Sequence, residues 1–376
     1  MSTIVIACGG TGGHLAPGIA LAEALMEGGH RCLLLVSQKA VDSALTKKYQ
    51  DLNFVAIPGQ GIAGGWMQRL RACMQLFHGM VSALRLLRRE APEAVFLFGG
   101  FLSAGPALAA RILGIPIAMH EANCAPGRVT RLFAPYAKRV YLPAGLKLPG
   151  VAPQCLRELG YPVRREIAAL PKASARAALG LESGGGGKLL LVIGGSQGAR
   201  ALNEWAEKNF EGLAEAGISI YCVSGLKQAD ALHRQHPSRD GRSGHFIRVE
   251  FSDRMGVLLS AADLVVSRAG AGSLAELAAC GRPSILIPYP HAVDDHQTAN
   301  AAAHVQAGAG RMLLQTELGS LREQVQDLIF DEAELGRMEV ALKGLDPTNA
   351  AAMIAEDLLT LTTGGQTIER GGSDGA

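Results

Sequence analysis

The chain has 376 residues, 48% of them apolar and 19% charged, with a formal charge of +2. That length allows two domains with full cores, and the balanced charge gives no reason to expect a nucleic-acid partner. Seven scattered cysteines, without a CxxC pair or a Cys/His cluster, argue against disulfides and zinc and for a reducing compartment.

Thr3 to Ala7 is a short apolar run that reads as a strand, and no basic-then-apolar leader precedes it, so no signal peptide is expected. It enters Cys8-Gly9-Gly10-Thr11-Gly12-Gly13-His14, and Pro17 is expected in the first turn of the helix that follows. The glycines allow a tight turn and close approach of a bulky ligand. A dinucleotide fingerprint is not met, because Leu15 follows His14 and the second strand, Cys32 to Val36, ends in Ser37-Gln38 without an acidic ribose ligand. A nicotinamide oxidoreductase is therefore disfavoured. A Walker loop is absent too, since Lys188 is followed by Leu189. His14 ends the glycine loop, and an imidazole there can take a proton from a hydroxyl nucleophile. The plainer alternative is a capping or structural histidine.

From Trp66 to Leu84, apolar residues recur at helical spacing, interleaved with arginines that continue to Arg89. Such a helix either packs its stripe into a core or lies on an anionic bilayer surface. The longest uncharged run, Ala94 to Ala110, is too short to span a membrane and is broken by Gly99-Gly100 and Gly105-Pro106, so it reads as strand, loop and helix start. The protein is expected to be soluble or attached at a membrane surface. Ile115 to Met119 reads as a strand delivering His120-Glu121-Ala122-Asn123 at its C-terminal edge, where ligands bind in open parallel sheets. Val140 to Leu142 closes this half, and residues 143–162, with four prolines and no periodicity, read as an interdomain connection.

The second half repeats the pattern. Leu189 to Ile193 enters Gly194-Gly195-Ser196-Gln197-Gly198-Ala199 and a helix runs on from Arg200; strands are expected at 218–223, 246–249, 264–267 and 284–287. The fold class is α/β, with two doubly wound Rossmann-like domains facing each other across a cleft. Their expected bounds are 1–162 and 163–345, with a helix within 346–361 packing back on the first domain and a tail, 362–376, too poor in apolar residues to fold. The richest stretch is 262–300. There an apolar run feeds the small-residue turn Ser267 to Ser273, and a helix from Leu274 to Cys280 stops at Gly281. The exposed amides of such a helix start favour an anion, and Glu276 suits a vicinal diol such as a ribose. Pro288 to His291 forms a stiff loop before Asp294-Asp295-His296-Gln297 opens another helix. Together these suit a nucleotide diphosphate carrying a polar head group such as a sugar; an ordinary βαβ unit is the plain alternative.

Seven motifs stand in order: GGTGGH at 9–14, GGF at 99–101, HEAN at 120–123, GYPVR at 160–164, GGSQGA at 194–199, SRAGAGSLAE at 267–276 and DHQTANA at 295–301. Over nearly the whole chain they resemble the MurG family, the peptidoglycan GlcNAc transferases of bacteria in glycosyltransferase family 28. The resemblance implies the GT-B architecture, UDP-GlcNAc as donor and lipid I (undecaprenyl-pyrophosphoryl-MurNAc-pentapeptide) as acceptor. It also implies inverting transfer to the muramyl 4-hydroxyl to give lipid II, with no cofactor and no bound metal, peripherally at the cytoplasmic face of the bacterial inner membrane. Carried onto this sequence, the donor contacts fall on Thr11, Gly12, Gly13, Asn123, Arg164 and Ser196, and on Ser252 near the uracil. Those around the phosphates and ribose fall on Ala271, Gly272, Ser273, Leu274, Ala275 and Glu276, and Gln297 takes the sugar hydroxyls. His14 is the candidate base and Glu121 the second candidate. Two positions depart from the family: His296 stands where a glutamine is frequent, and Ser252 where an aliphatic residue is. Other readings kept open are a GT-B enzyme with a different lipid acceptor, a UDP-GlcNAc epimerase using Asp294 and Asp295, and a non-catalytic nucleotide-sugar-binding subunit.

Overall fold

The computed structural model describes the chain except residues 10, 11, 38–45, 59–65, 182–186, 196, 197, 227–229, 240, 346, 347 and 364–376, and the side chains of 12, 66–73 and 363. It divides into two compact units: Met1–Ala122, Pro126–Arg164 and the chain from Asn349 form one, Asn123–Ala125 and Arg165–Thr348 the other. Thr11, Ser196 and the C-terminal tail thus lie outside the described residues, the tail from residue 364 on.

The first unit is built on seven parallel strands: β1 (Thr3–Ala7), β2 (Arg31–Val36), β3 (Phe54–Ala56), β4 (Ala94–Leu97), β5 (Ile117–His120), β6 (Arg139–Tyr141) and β7 (Leu156–Arg157), in the order β3-β2-β1-β4-β5-β6-β7. Their runs are continuously apolar because a parallel sheet is covered on both faces; β4 and β5 are buried throughout. One face carries Ala83, Leu86 and Leu87 from helix Trp66–Glu90, with Ala107, Ala109 and Ala110 from helix Ala104–Leu113. The other carries Leu15, Ile19 and Leu25 from helix Gly12–Glu27, with Ile354 and Leu358 from helix Ala350–Thr363. Asp357 on this last helix accepts from Tyr141 Oη at 2.9 Å and from the Nε atoms of Arg139 and Arg157 at 3.1 and 3.3 Å. The C-terminal part of helix Trp66–Glu90 is core, while Met74 and Phe77 are exposed.

The second unit's sheet runs β10-β11-β9-β8-β12-β13-β14, parallel except for the β10–β11 pair. Its strands are β8 (Lys188–Ile193), β9 (Ile218–Val223), β10 (Leu232–Pro237), β11 (Ser243–Val249), β12 (Leu264–Ser267), β13 (Ser284–Leu286) and β14 (Gly310–Met312). Asp263, buried beside β12, accepts from Lys172 Nζ, Arg176 Nη2 and the Leu189 amide, and so fastens helix Lys172–Ala178 to the sheet.

Strand order decides where a ligand can sit. In each sheet the first strand has neighbours on both sides whose connections run in opposite directions, which opens a crevice at the carboxyl ends. In the first unit that point falls between β1 and β4, where Cys8–Gly9 and Gly99–Gly100 emerge. In the second it falls between β8 and β12, where Gly194–Gly195 and Arg268–Ala269 emerge.

Four strands differ from the sequence expectation: β3, β7, β10 and β14. Three of them are only two or three residues long, and β7 lies inside the stretch 143–162 that reads as a connection. The fourth, β10, is polar from His233 through His236 because it forms the antiparallel edge, where only exposure alternates.

Candidate active site

At the first switch point the helix starts at Gly12, five residues before Pro17, so the expectation of Pro17 in its first turn is corrected. A proline there has no N–H for the carbonyl four residues back, which is that of Gly13. The Gly13 carbonyl instead accepts the Tyr161 hydroxyl at 3.0 Å. The helix is held at its mouth by a residue almost 150 positions away in GYPVR, |i−j| being 148.

His14, half-buried in the first turn, lays its ring against Gly100. A Cβ at Gly100 would sit 3.0 Å from His14 Cε1 and 3.2 Å from Nδ1, and the φ of 69° there is itself a glycine conformation. Beneath this turn the buried Ser103 hydroxyl donates to Gly99 O at 2.5 Å and lies 3.3 Å from Ala7 O, which ties the second glycine turn to the end of β1.

The motif at 120–123 divides its labour. His120, 2% exposed, donates from Nε2 to Gly160 O at 2.8 Å, and its ring packs between Phe98 and Tyr161. Burial holds its pKa below the usual histidine value, so it is neutral at neutral pH. Glu121 is also buried, and one of its oxygens accepts the Gly127 amide at 2.8 Å and the Thr130 hydroxyl at 2.7 Å. The carboxylate therefore anchors the start of helix Arg128–Phe133. Asn123 belongs to the second unit. Arg164, where the first unit passes into the second, is half-buried with Nη1 3.5 Å from Tyr49 Oη.

At the second switch point the helix runs Ala271–Ala279, three residues earlier than the pattern from Leu274 suggests, because alanine, glycine and serine continue the helix although they add nothing to its apolar stripe. Gly270 is its N-cap, and the Leu274 amide reaches back to Gly270 O at 3.1 Å. The amides of Ala271, Gly272 and Ser273 are those that a helix cannot satisfy internally. Glu276, half-buried, stands in the second turn. Gly194 opens the neighbouring turn, where a Cβ would run into the Ala199 backbone nitrogen. Ser252 is half-buried before helix Met255–Ala261 and accepts the Arg254 amide at 3.1 Å.

The loop 287–291 is pinned by a residue that motif reading leaves without a role. Arg268, 6% exposed, donates from Nη1 to Ile287 O and Pro288 O, both at 3.1 Å, and from Nη2 to Gln315 Oε1, with its guanidinium over the Tyr289 ring. Gln297 Oε1 accepts the Tyr289 amide at 2.9 Å, so this candidate sugar ligand also braces the loop. Ahead of it, Asp294 and Asp295 both take positive φ, 52° and 49°, an uncommon backbone for non-glycine residues that concentrates at functional sites. His296 donates from Nδ1 to Val293 O at 2.7 Å. Asn300, 3% exposed, is a further hub that the sequence does not reveal.

Among the described residues no group of three or more His, Cys, Asp or Glu is placed to hold a metal ion, and no helix is long and apolar enough to cross a membrane. Two Rossmann-like sheets, each with glycine turns at its switch point, define the GT-B class of glycosyltransferases. The chain belongs to glycosyltransferase family 28: the family's N-terminal domain matches residues 4–142 and its C-terminal domain 189–356. It is 44% identical to the UDP-N-acetylglucosamine–N-acetylmuramyl-(pentapeptide) pyrophosphoryl-undecaprenol N-acetylglucosamine transferase of Opitutus terrae, over 96% of both chains. The protein of that name from Synechococcus elongatus is 37% identical over 95% of this chain and 98% of its own. The crystal structure of Acinetobacter baumannii MurG superposes with a TM-score of 0.69 at 26% identity, covering 95% of this chain and 99% of that one.

Proposed function

We propose that this chain transfers GlcNAc from UDP-GlcNAc to the 4-hydroxyl of MurNAc in undecaprenyl-pyrophosphoryl-MurNAc-pentapeptide, with inversion at the anomeric carbon. The observation that carries this is the 44% identity, along 96% of the chain, to a relative of that named activity. The reaction is a single in-line displacement. His14 takes the proton of the acceptor hydroxyl, directly or through a water, as that oxygen attacks the anomeric carbon. The bond from that carbon to the UDP oxygen breaks, and the negative charge gained by UDP is met by the amides of Ala271, Gly272 and Ser273.

Around that step, Glu276 holds the ribose, Ser252 lies by the uracil, Asn123 and Gln297 serve the sugar, and Arg164 and Ser196 are further donor contacts. Leu274 and Ala275 in the second unit, and Thr11, Gly12 and Gly13 in the first, are the remaining donor contacts of this reading. Of the two base candidates His14 is favoured, because Glu121 is buried with one oxygen committed to Gly127 and Thr130. Measuring UDP release from UDP-GlcNAc, UDP-GalNAc and UDP-glucose with a lipid I analogue tests the reading. UDP-GlcNAc should be preferred by at least about tenfold in kcat/KM. No release above that of acceptor-free controls would overturn it.

The lipid-linked acceptor fits a surface attachment of the first unit. Apolar side chains exposed on this unit include Phe77, at 59%, Leu132, at 63%, Ile112 and Tyr136, on whose ring the Arg111 guanidinium stacks. Exposed Arg85, Arg88 and Arg89 supply positive charge on helix Trp66–Glu90. Binding to anionic vesicles should weaken with salt; no binding even at low salt would exclude the attachment.

A further inference from the structure

The antiparallel edge of the second sheet carries two histidines that the proposed transfer reaction leaves unused. In the β10–β11 register His233 stands opposite Ile247 and His245 opposite Gln235, so both histidines project from one face of the ribbon, a diagonal step apart. The other face holds Phe246 against Phe210 and pairs Arg234 and Arg248 with Glu211 and Glu207 of helix Arg200–Glu215. The two imidazole rings stack with centroids 5.6 Å apart and planes 29° from parallel, and His233 Nε2 lies 3.3 Å from His245 Nδ1. Neutral imidazoles can share a proton across that gap. The gap is also the bite of a metal ion. Two nitrogens bound at about 2.05 Å to a tetrahedral ion stand about 3.3 Å apart, whereas the right angle of a square-planar ion would bring them to about 2.9 Å. Among the described residues neither ring has another hydrogen-bond partner, so a small rotation of each can aim its lone pair at a common point.

We propose that His233 Nε2 and His245 Nδ1 form a site for a divalent transition-metal ion of tetrahedral habit, Zn2+, which clips edge strand β10 to β11. Imidazole nitrogen suits such an ion, while Mg2+ and Ca2+ take oxygen ligands. Each neutral ring keeps its one proton on the nitrogen that does not bind, and water fills the other two positions. The clip acts where the sheet is weakest, because β10 is joined to it through β11 alone. Strands β11 and β9 separate it from β8 and the switch point, so the site stands whether or not the proposed transfer reaction does.

Titrating the full chain with Zn2+ while recording the imidazole nitrogen resonances tests this. The signals of His233 Nε2 and His245 Nδ1 should shift together and saturate at one ion per chain, and the melting temperature should rise with Zn2+ concentration. His233→Ala and His245→Ala should each weaken binding at least about tenfold, a scale reached even by loss of an outer partner of a ligating histidine. His236→Ala removes the imidazole that lies 4.0 Å from Glu215 on the opposite face, and should leave binding within about twofold. Mg2+ in place of Zn2+ should neither move the two signals nor raise the melting temperature. Binding that survives His233→Ala or His245→Ala, or that is lost with His236, would overturn the proposal by placing the ion elsewhere. Wild-type signals that stay fixed as Zn2+ is added would overturn it outright, and they decide alone if an alanine variant fails to fold.

Discussion

The two switch points share a backbone design and differ in what they present. At the first, a glycine turn leads into a helix whose opening turn carries an imidazole, seated on Gly100 and steadied through Gly13 by Tyr161. At the second, the turn leads into a helix whose opening residues are alanine, glycine and serine, so the backbone itself is presented. A doubly wound sheet supplies the crevice in both cases. In the proposed mechanism, whether the crevice moves a proton or holds an anion depends on the residues of one helical turn.

Substitutions can break this comparison, and the largest expected effect is at His14. His14→Ala should lower kcat by about 1000-fold while the donor KM changes little, if the imidazole acts only in the chemical step. Near-wild-type turnover would return the base role to Glu121. Next comes pH. Each unit buries a neutral histidine, His120 in the first and His304 in the second, and burial pushes the His304 pKa down to about 4, partly offset by a backbone hydrogen bond with Ala309. Because the unfolded chain takes up that proton more readily, the stabilisation is complete above about pH 6.5 and is lost as pH falls toward the folded value. The second unit should thus lose up to about 3 kcal/mol across that window in acid-unfolding experiments, and His304→Asn should remove the slope. An unchanged slope in that variant would assign it elsewhere.

Smaller effects sharpen the contrast. Glu276→Ala should raise the donor KM about 30-fold with kcat less affected, the reverse of the histidine pattern. Equal loss in both parameters would place Glu276 in the transition state. Gly100→Ala should reduce kcat about tenfold with unchanged UDP inhibition, since the added methyl group must push the His14 ring aside. Full activity would show that the ring does not need that platform.

Much of this was legible in the sequence, because parallel strands between helices must be apolar along their length and glycine must stand where a turn meets a neighbouring backbone. The apolar runs at β1, β4, β8 and β12 and the turns after them are local features, and so is the stretch 262–300. What stayed hidden depends on distant partners. Pro17 inside a helix makes sense only once the Tyr161 hydroxyl is found on the Gly13 carbonyl. The roles of Arg268, Asn300 and Glu121 lie in bonds to Gln315, Cys124 and Thr130, which periodicity does not encode. Short strands such as β7 have too few residues to show a pattern, and β10 looks polar because it closes an edge.

Amide hydrogen exchange at saturating UDP tests the central division most directly. The account predicts slowed exchange at Ala271 to Glu276, retained in His14→Ala although that variant turns over donor about 1000-fold more slowly. Protection confined to the first unit, with residues 271–276 exchanging as in the free protein, would contradict it.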